Sequence, residues 1–554
     1  MKAERKWKAQ IAPKQAYYER LALLKCMGYQ EEELAKPLVG VIHGWNEMAA
    51  GDYHLRAAVD AVKASIRSAG GTPVEVNVPA LCAGMNAGTL EARYSFPYRD
   101  FAAGMVEIML HAYQCDGAIV IPTCDYTVPA YLMGIARVNI PTVVLTGGYM
   151  DVGDYKGRPI TGIDAAVAYA AYKVGRVSAE EFYGIVNNAC PTPGACPLIA
   201  TANTMCVVTE SLGMSLPGNA TTPAMGGPLL CMAKSAGSQI LKLIEKDLKP
   251  SDILTLESFK NMITTVLAIG GSMNAVVHSI AIARQVGIDL NLDIWDKLSR
   301  KTPFLCSLMP NHPTNTMREF RKAGGVMALM KELSPLLNLD VMTVTCKKLL
   351  ENLKDIEVLD RDIIRPMDNP YRPEGGIAIL KGSLAPGGAV VKASAVPLQM
   401  LRHEGPAVVY NSEEEAIQGL MSKKVKEGDV VVIKYEGPRG GPGAREPSLV
   451  MHTVNGLGLI NSVAVVSDSR FSGTNKGCAV GHVCPEAADG GPLAAVENGD
   501  MIEIDIPRRK LDIKISKQEL DRRLKTWTPP QKETKGVLEL YARMGLPLNV
   551  GGGL

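Results

Sequence analysis

Thiols, carboxylates and a tyrosine stand close together at two places in the first 200 residues. Cys124-Asp125-Tyr126 joins a thiol to a carboxyl group, and Cys196 lies in a Gly-Ala-Cys-Pro turn. Thiolates in loops that offer backbone N–H groups are typical ligands of iron–sulfur clusters. The tight cysteine spacing of ferredoxins is missing, so a buried and inert cysteine stays open as the alternative at each position.

Two segments of the C-terminal third carry other reactive groups. Glu436 precedes the run Gly-Pro-Arg-Gly-Gly-Pro-Gly, and a carboxylate beside such a rigid loop can bind a hard cation such as Mg²⁺. The alternative is a solvated glutamate next to simple turn residues. Ser472 lies in Arg-Phe-Ser-Gly, which is not a Gly-x-Ser-x-Gly nucleophile elbow. Its local pattern alone indicates a turn serine.

The elements that must position these residues alternate between strands and helices in the first third of the chain. Short apolar runs predict strands over 37–43, 73–78, 117–121 and 141–146, with helices between them. Such alternation is typical of a parallel sheet covered by helices. Functional loops in these sheets follow the carboxyl ends of the strands. We therefore expect the loops 45–52, 81–84 and 123–126 to meet at one edge.

The character of the chain changes after a charged, proline-rich linker at 360–375. Residues 150–365 are mostly helical by pattern, whereas short β-type runs dominate beyond 376. Residues 501–516 alternate on both sides of Pro-Arg-Arg, as a hairpin does, and 532–545 predicts a closing helix. We predict an α/β protein with an N-terminal parallel-sheet domain (1–365) and a C-terminal β-barrel-like domain (376–554).

The overall composition excludes several function classes. The 554 residues carry 59 Lys and Arg against 57 Asp and Glu, a net charge of +2, and only 5% are aromatic. Neither a polyanion partner nor a base-stacking surface is expected, so no nucleic acid is predicted. Twelve cysteines are too few for a disulfide scaffold in a chain of this length. The first ten residues have no apolar core, so no signal peptide is expected.

The longest uncharged run, Met262 to Ala283, resembles a membrane span only in length. It contains Gly270-Gly271-Ser272, Asn274 and His278, which favour a buried helix–turn–helix. We therefore expect no membrane contact and a cytoplasmic protein with reduced cysteines.

Ordered motifs along nearly the whole chain carry a family resemblance. They include Trp45-Asn46-Glu47, Tyr94-Ser95 with Arg99, Cys124-Asp125, Gly194-Ala195-Cys196, Gly270-Gly271-Ser272 with Asn274, Tyr435-Glu436-Gly437-Pro438 and Arg470-Phe471-Ser472-Gly473. In these the chain resembles the dihydroxy-acid dehydratase / phosphogluconate dehydratase family. The resemblance implies an N-terminal α/β domain, a C-terminal β-barrel-like domain, and a site between them in a homodimer or a dimer of dimers.

The resemblance also implies a reaction and a set of site residues. Family members remove water from a 2,3-dihydroxy acid or a sugar acid and give a 2-keto acid, using an iron–sulfur cluster and Mg²⁺. By matching position, Ser472 is the base that takes the C2 proton. The other implied roles are cluster ligation by Cys124 and Cys196, Mg²⁺ ligation by Asp125 and Glu436, and substrate binding by Arg99, Ser272 and Asn274.

Three positions depart from the family pattern, all in the strand-end loops. Gly51 replaces a cluster cysteine, Ala83 replaces an Mg²⁺-binding aspartate, and Tyr126 replaces a lysine that is carbamylated to bind the metal. Asp52, Cys82 and the Tyr126 phenol stand next to the losses. We predict Cys82 as a third cluster thiolate, with a small buried cysteine as the alternative.

Three functions follow from this pattern. The first is a hydro-lyase acting on a small polyhydroxy acid with an atypical iron–sulfur and Mg²⁺ site. The second is an enzyme of the same fold with cluster-independent chemistry, in which Ser472 and Tyr126 act as an acid–base pair. The third is a non-catalytic protein that binds an acid metabolite. The sequence does not identify the acid.

Overall fold

The computed structural model describes residues 14–530 and 533–554. The first ten residues, whose composition predicts no signal peptide, lie outside these ranges. Residue 532, where the predicted closing helix starts, also lies outside them. The N-terminal domain contains a four-stranded sheet in the order β2-β1-β3-β4, and every strand pair in it is parallel. These strands are β1 (Leu38–His43), β2 (Thr72–Asn77), β3 (Gly117–Ile121) and β4 (Thr142–Val144).

Helices cover this sheet and fill the rest of the N-terminal domain. Those before residue 250 are α1 (Lys14–Cys26), α2 (Glu31–Leu34), α3 (Leu55–Ser68), α4 (Ser95–Ala112), α5 (Thr127–Val138), α6 (Gly162–Lys173), α7 (Ala179–Asn188), α8 (Thr201–Ser211) and α9 (Gly227–Lys246). A small hairpin, β5 (Gly153–Tyr155) with β6 (Arg158–Ile160), precedes α6. The helices that follow are α10 (Pro250–Ile253), α11 (Leu256–Ile269), α12 (Asn274–Gln285), α13 (Leu292–Ser299), α14 (Met317–Lys322), α15 (Gly325–Glu332) and α16 (Leu349–Asn352).

The C-terminal domain is built on an eight-stranded sheet in the order β14-β13-β9-β10-β11-β12-β8-β7. Its strands are β7 (Ala378–Leu380), β8 (Gly388–Val391), β9 (Arg402–Tyr410), β10 (Val430–Ile433), β11 (Ala464–Ser467), β12 (Ala479–Cys484), β13 (Met501–Asp505) and β14 (Lys510–Ile513). The edges approach each other where Lys381 and Lys510 form a bridge. The sheet is therefore nearly closed, and the predicted barrel-like fold is confirmed.

The centre of this second sheet is parallel, which the sequence did not indicate. β9, β10, β11 and β12 run parallel, while the strands outside them pair antiparallel. Crossovers through α17 (Glu413–Met421) and α18 (Ser448–Gly456) make the parallel pairing possible. The predicted hairpin is confirmed, because β13 pairs antiparallel with β14. α19 (Lys517–Thr526) and α20 (Val537–Met544) complete the domain, the latter within the predicted closing helix.

One hydrophobic core joins the two domains. Val41 and Ile119 of the N-terminal sheet belong to the same buried cluster as Val431 and Val465 of the C-terminal sheet. The alternate residues of those C-terminal strands, such as Val430, face a second cluster inside the barrel. The uncharged run 262–283 forms the buried helices α11 and α12, as predicted. Within the described ranges, none of the helices has the length and apolar character needed to cross a membrane.

Candidate active site

The loops after β1, β2 and β3 meet at one edge of the N-terminal sheet. The Gly194 N–H donates to the Ala50 carbonyl at 3.0 Å, and the Ala50 N–H donates to the thiol of Cys82. A Cβ atom at residue 51 would overlap the Sγ of Cys124, so the glycine there makes room for that thiol. The edge predicted from the strand pattern therefore gathers three loops and the turn before α8.

Cys82 lies opposite the thiol of Cys124 in this group. The Cys124 thiol is the largest cause that lowers the pKa of Cys82 below its usual range, and the backbone N–H groups of Gly84, Met85 and Ala50 act in the same direction. The contact with Cys82 and burial raise the pKa of Cys124. Of the two thiols, Cys82 is therefore the one that loses its proton more readily, and a thiolate is the form that binds metals.

Two further groups complete the thiol half of the site. Cys196 lies in its turn within electrostatic reach of Asp125 and Cys82. The carboxyl group of Asp52 is fully buried, and neither of its oxygens has a hydrogen-bond partner of regular geometry. Burial raises the pKa of Asp52 to about 7. Asp52 thus stands beside the Cys124 thiol as a buried acid.

The donor set of this half fits an iron–sulfur cluster. Soft thiolates favour such clusters, and Cys82, Cys124 and Cys196 face the same group of loops. Within 14–530 and 533–554, no three His, Cys, Asp or Glu side chains converge on one point as ligands of a single ion.

Tyr126, at the start of α5, opens the other half of the site. Its side chain is 1% exposed, and its hydroxyl donates to Oε1 of Glu446 at 3.2 Å. The same hydroxyl accepts a hydrogen bond from Arg470 at 2.9 Å. Burial raises the pKa of Tyr126 well above its usual range. The phenol therefore keeps its proton and links two residues of the C-terminal domain.

Arg470 is fully buried at the centre of this network. Its Nε donates to the Ala444 carbonyl at 2.9 Å, and one terminal nitrogen donates to Asn274 and Glu446, each at 3.1 Å. The guanidinium also lies over the ring of Phe96, 4.4 Å from its centroid. The positive charge is therefore held in a fixed position against the Glu446 carboxylate.

This second half does not fit a divalent cation. Burial, aided by the charges of Glu446 and Cys82, raises the pKa of Asp125 to about 8. Glu446 is already neutralised by Arg470. Ala83 has no donor, and Tyr126 is a neutral phenol.

Glu436, the Mg²⁺ ligand implied by the resemblance, is held in a separate ion-pair cluster. Arg445 contacts its carboxylate from Nε at 3.1 Å and from a terminal nitrogen at 2.8 Å. Arg445 also forms two hydrogen bonds of 2.6 Å with Glu414. The carboxylate whose charge acts on Asp125 is that of Glu446.

Sequence reasoning missed Glu446, although a signal was present. Glu436 lies directly before the glycine loop and Glu446 lies after it, and β10 precedes both residues. The connection after β11 carries Arg470 and Ser472. All four residues thus follow carboxyl ends of parallel strands, as active-site loops do in such sheets. Assigning parallel pairing to β10 and β11 would have placed both Glu436 and Glu446 at this edge without choosing between them.

Ser472 lies where the two domains meet. The serine is 6% exposed, and its Oγ accepts a hydrogen bond from the Thr474 N–H at 3.4 Å. The neighbouring Gly473 packs so closely that a Cβ there would stand 2.7 Å from the Cβ of Ser272. Its N–H reaches the hydroxyl of Thr201 at 3.5 Å. The serine loop is therefore seated against the start of α8.

A buried lysine fixes this loop from behind. Lys392 Nζ donates to the carbonyl of Gly473 at 2.8 Å and to that of Ile199 at 3.2 Å. Burial lowers the pKa of Lys392 to about 7. The lysine thereby ties the serine loop to the segment between Cys196 and α8.

The three predicted substrate-binding residues have different surroundings. Ser272 Oγ pairs with the Thr201 hydroxyl at 2.8 Å, and Asn274 donates to Thr201 and to Glu446. Both lie beside the serine loop. Arg99 is fully buried and donates to the carbonyls of Gly551 and Gly552, at 3.1 and 3.3 Å. Arg99 therefore anchors the C-terminal glycines in the wall behind the site.

A cavity of about 360 Å³ opens between the domains beside the serine loop. Leu198 and Met309 line it from the N-terminal domain, and His452, Thr474 and Lys476 line it from the C-terminal domain. The cavity reaches the serine loop at Thr474, whose N–H donates to Ser472, but Ser472 and the three cysteines are not among its lining residues.

Two family profiles match almost the whole chain. Residues 36–352 match the N-terminal domain, and residues 362–552 the C-terminal domain, of dihydroxy-acid/6-phosphogluconate dehydratase. Proteins named dihydroxy-acid dehydratase are also similar over nearly their full length. The one from Caldicellulosiruptor saccharolyticus is 46% identical over 526 residues, 94% of this chain and 95% of its own. The one from Pyrococcus furiosus is 45% identical over 532 residues, 96% of both chains.

Proposed function

Because the chain belongs to the dihydroxy-acid/6-phosphogluconate dehydratase family, we propose that it is a hydro-lyase acting on a small polyhydroxy acid. The reaction removes the C2 proton and the C3 hydroxyl of a 2,3-dihydroxy acid or a sugar acid. The resulting enol becomes a 2-keto acid, and the other product is water. The observation that carries the proposal is the seating of the Ser472 loop against the start of α8, where Gly473 packs on Ser272 and Lys392 holds the loop.

Ser472 is the proposed acceptor of the C2 proton. That proton is weakly acidic, so the accepting oxygen must be held close to it and screened from bulk water. The packing of Gly473 against Ser272 and the two hydrogen bonds of Lys392 support this role, because they fix the loop on both sides. A positioned base of this kind contributes about 10²–10⁴-fold to a rate.

Cys82, Cys124 and Cys196 are the proposed ligands of an iron–sulfur cluster. When bound, such a cluster supplies a Lewis-acidic iron for the departing C3 hydroxyl, which is otherwise a poor leaving group. The anionic tendency of Cys82 and its contact with Cys124 support the ligand set. Cys82 then takes over the function of the cysteine that Gly51 replaces.

The polar side chains around the serine loop are proposed to orient the substrate. Ser272 and Asn274 both contact Thr201, and together they present hydroxyl and amide groups next to Ser472. Tyr126 is proposed to act through Arg470 and Glu446, which it contacts, and not on the substrate itself.

A turnover screen tests the proposal. Anaerobically purified and cluster-loaded protein is incubated with branched-chain 2,3-dihydroxy acids and with sugar acids, and keto-acid release is measured. We expect release from at least one class, with a primary isotope effect when C2 carries deuterium. Turnover without any C2 isotope effect, retained in Ser472→Ala, would contradict the role of the serine. No keto acid from either class would contradict the dehydratase proposal.

Two features implied by the family are proposals of the same kind. The protein is proposed to work as a homodimer or a dimer of dimers in the cytoplasm. Light scattering on the cluster-loaded protein tests the first part, with a mass of two or four chains expected and a monomer contradicting it.

A further inference from the structure

The cavity between the domains is enclosed by packed elements of both. One wall is α6 and another is α18. These two helices pack so closely that a Cβ at Gly456 would stand 2.7 Å from the Cβ of Ala170. β6 and the segment 309–313 form further walls. A cavity of about 360 Å³ with such walls has the size and the preformed shape of a small-molecule site.

His452 lines this cavity from α18 with both of its ring nitrogens unpaired. Neither nitrogen is exposed to solvent, and neither has a hydrogen-bond partner among the residues that the structure describes. Burial lowers the pKa of His452 to about 4, so the ring is neutral near pH 7. A neutral imidazole offers one donor and one acceptor. Because buried polar groups in native proteins are nearly always paired, this ring needs a partner from the cavity.

The open side of the cavity carries an excess of positive charge. Lys476 and Arg158 both line it and are both exposed. Arg158 is paired with Asp164, whose Oδ1 lies 3.4 Å from the guanidinium and whose Oδ2 accepts the Thr161 N–H. Within residues 14–530 and 533–554, Lys476 has no ion-pair partner. Two cations and one carboxylate therefore leave one positive charge uncompensated at the mouth.

His312 adds a neutral donor to the same lining. Its Nδ1 accepts the N–H groups of Thr314 at 3.2 Å and Asn315 at 3.1 Å. An acceptor at Nδ1 places the proton of the neutral ring on Nε2. The lining thus combines charged and neutral donors, which is the complement of an anion.

We infer that this cavity binds a small hydroxylated anion, whose phosphate or carboxylate group pairs with Lys476 and Arg158 and whose hydroxyl group pairs with His452. Lysine and arginine are the usual partners of phosphate and carboxylate groups. A hydroxyl group donates and accepts, as the neutral ring of His452 does. The ligand therefore satisfies both the unpaired ring and the excess charge.

The bound anion lies beside the serine loop. Thr474 lines the cavity, and its N–H donates to the Oγ of Ser472 at 3.4 Å. The ligand is either the far end of a sugar acid held at Ser472 or a separate molecule of the same chemistry. The first source rests on the proposed function, whereas the binding of a hydroxylated anion does not.

Glycerol 3-phosphate is a suitable probe, because it carries hydroxyl and phosphate groups and has no carboxylate, so the proposed reaction cannot consume it. In calorimetric titrations of the cluster-loaded protein, we expect one molecule bound per chain and no binding of glycerol. Lys476→Met should weaken the binding by about tenfold or more, because a charge-assisted contact is lost. Lys234→Met, at an exposed lysine on α9, is the matched control and should bind as the wild type does. No saturable binding, or equal affinity in Lys476→Met, would overturn the inference.

A second variant tests the role of the histidine. We expect the wild type to bind glycerol 3-phosphate more tightly than inorganic phosphate, and His452→Leu to bind both equally. A preference retained in His452→Leu would overturn the pairing of the hydroxyl group with His452. Because Lys476 is exposed, its variant tests the anion site even if His452→Leu does not fold.

Turnover distinguishes the two sources of the anion. If the anion is the far end of the substrate, glycerol 3-phosphate competes with it. Lys476→Met then lowers kcat/KM for sugar acids that end in a phosphate or carboxylate, and not for acids that end in a methyl group. Inhibition or activation without competition identifies a separate molecule. If no acid is turned over, the proposed function fails, and the calorimetric titration still decides whether the cavity binds an anion.

Discussion

The two halves of the site have changed in different ways. In the thiol half, Gly51 removes a donor, and Cys82 stands opposite Cys124 from the neighbouring loop, so the chemical class of the donor set is retained. In the other half, Ala83 and the Tyr126 phenol stand where the resemblance implies metal ligands, so the class has changed from anionic to neutral groups. The loss of a ligand therefore has different consequences in the two halves of the site.

The difference follows from what surrounds each half. The thiol half is lined by three loops of one sheet, and a side chain of one loop can enter the space left by another. The other half is closed by Arg470 from the second domain, whose charge must be balanced wherever it is buried. Glu446 supplies that balance here, and the Tyr126 hydroxyl accepts a further hydrogen bond from the guanidinium.

The largest expected effect comes from Ser472→Ala, which removes the proposed acceptor of the C2 proton and leaves the residues of both halves in place. We expect the turnover rate to fall by about 10²–10⁴-fold, because the base is lost. Iron content and the absence of bound Mn²⁺ should not change. Ser462→Ala, a serine outside the site, is the control. Unchanged turnover in Ser472→Ala would show that the two halves do not act on either side of this serine.

Cys82→Ser breaks the thiol half alone. We expect the variant to lose the visible absorption and most of the iron and sulfide of the reconstituted protein, because an alcohol is a poor cluster ligand. Cys231→Ser, at an exposed cysteine on α9, should retain both. A Cys82→Ser protein with a wild-type spectrum and iron content would mean that this half has not been rebuilt around Cys82.

Gly51→Ala measures how tightly the rebuilt half is packed. A Cβ at residue 51 overlaps the Sγ of Cys124, so we expect the cluster-free protein to be destabilised by about 1–3 kcal/mol. Denaturant unfolding gives the value. In the Cys124→Ala background the same change should cost much less. Equal costs in both backgrounds would mean that Cys124 does not occupy the space of the missing side chain.

Lys392→Met has the smallest expected effect and concerns the loop between the halves. The pKa of Lys392 is about 7 in the folded protein and 10.5 in the unfolded chain, so the folded state binds fewer protons between those values. Its contribution to the free energy of unfolding therefore rises with pH through this window, by at most about 1.4 kcal/mol per pH unit.

The difference between wild type and Lys392→Met isolates that contribution from all other titrating groups. We expect the wild type to gain stability relative to the variant when urea unfolding is measured at pH 7, 8 and 9. Lys234→Met, at an exposed lysine on α9, should show no such trend. A pH-independent difference for Lys392→Met would mean that the buried amine does not titrate in this range.

The gathering of the thiols was predictable from the sequence because it depends on short-range information. Each loop follows a strand whose apolar run is visible, and parallel strands bring their carboxyl ends to one edge. That rule brings the loop of Cys82 to the same edge as the loop of Cys124, whereas the contact between the two thiols depends on side-chain packing. The barrel-like second domain was predictable from its short β-type runs.

The partners of the second half were not predictable, because they come from distant parts of the chain. Tyr126 and Arg470 are 344 residues apart, and Asn274 and Arg470 are 196 apart. No local pattern distinguishes Glu446 from Glu436, and the choice depends on which arginine each one meets. The hydrogen bonds from Arg99 to the C-terminal glycines likewise join residues that are more than 450 positions apart in the sequence.

The contrast between the halves is tested most directly by elemental analysis of one preparation. Protein purified anaerobically is reconstituted with iron and sulfide in the presence of excess Mg²⁺ and Mn²⁺, desalted, and analysed for all four elements. The account predicts near-stoichiometric iron and sulfide with neither Mg²⁺ nor Mn²⁺ retained. Retained Mg²⁺ or Mn²⁺ would contradict it, and so would a protein that binds no iron or sulfide.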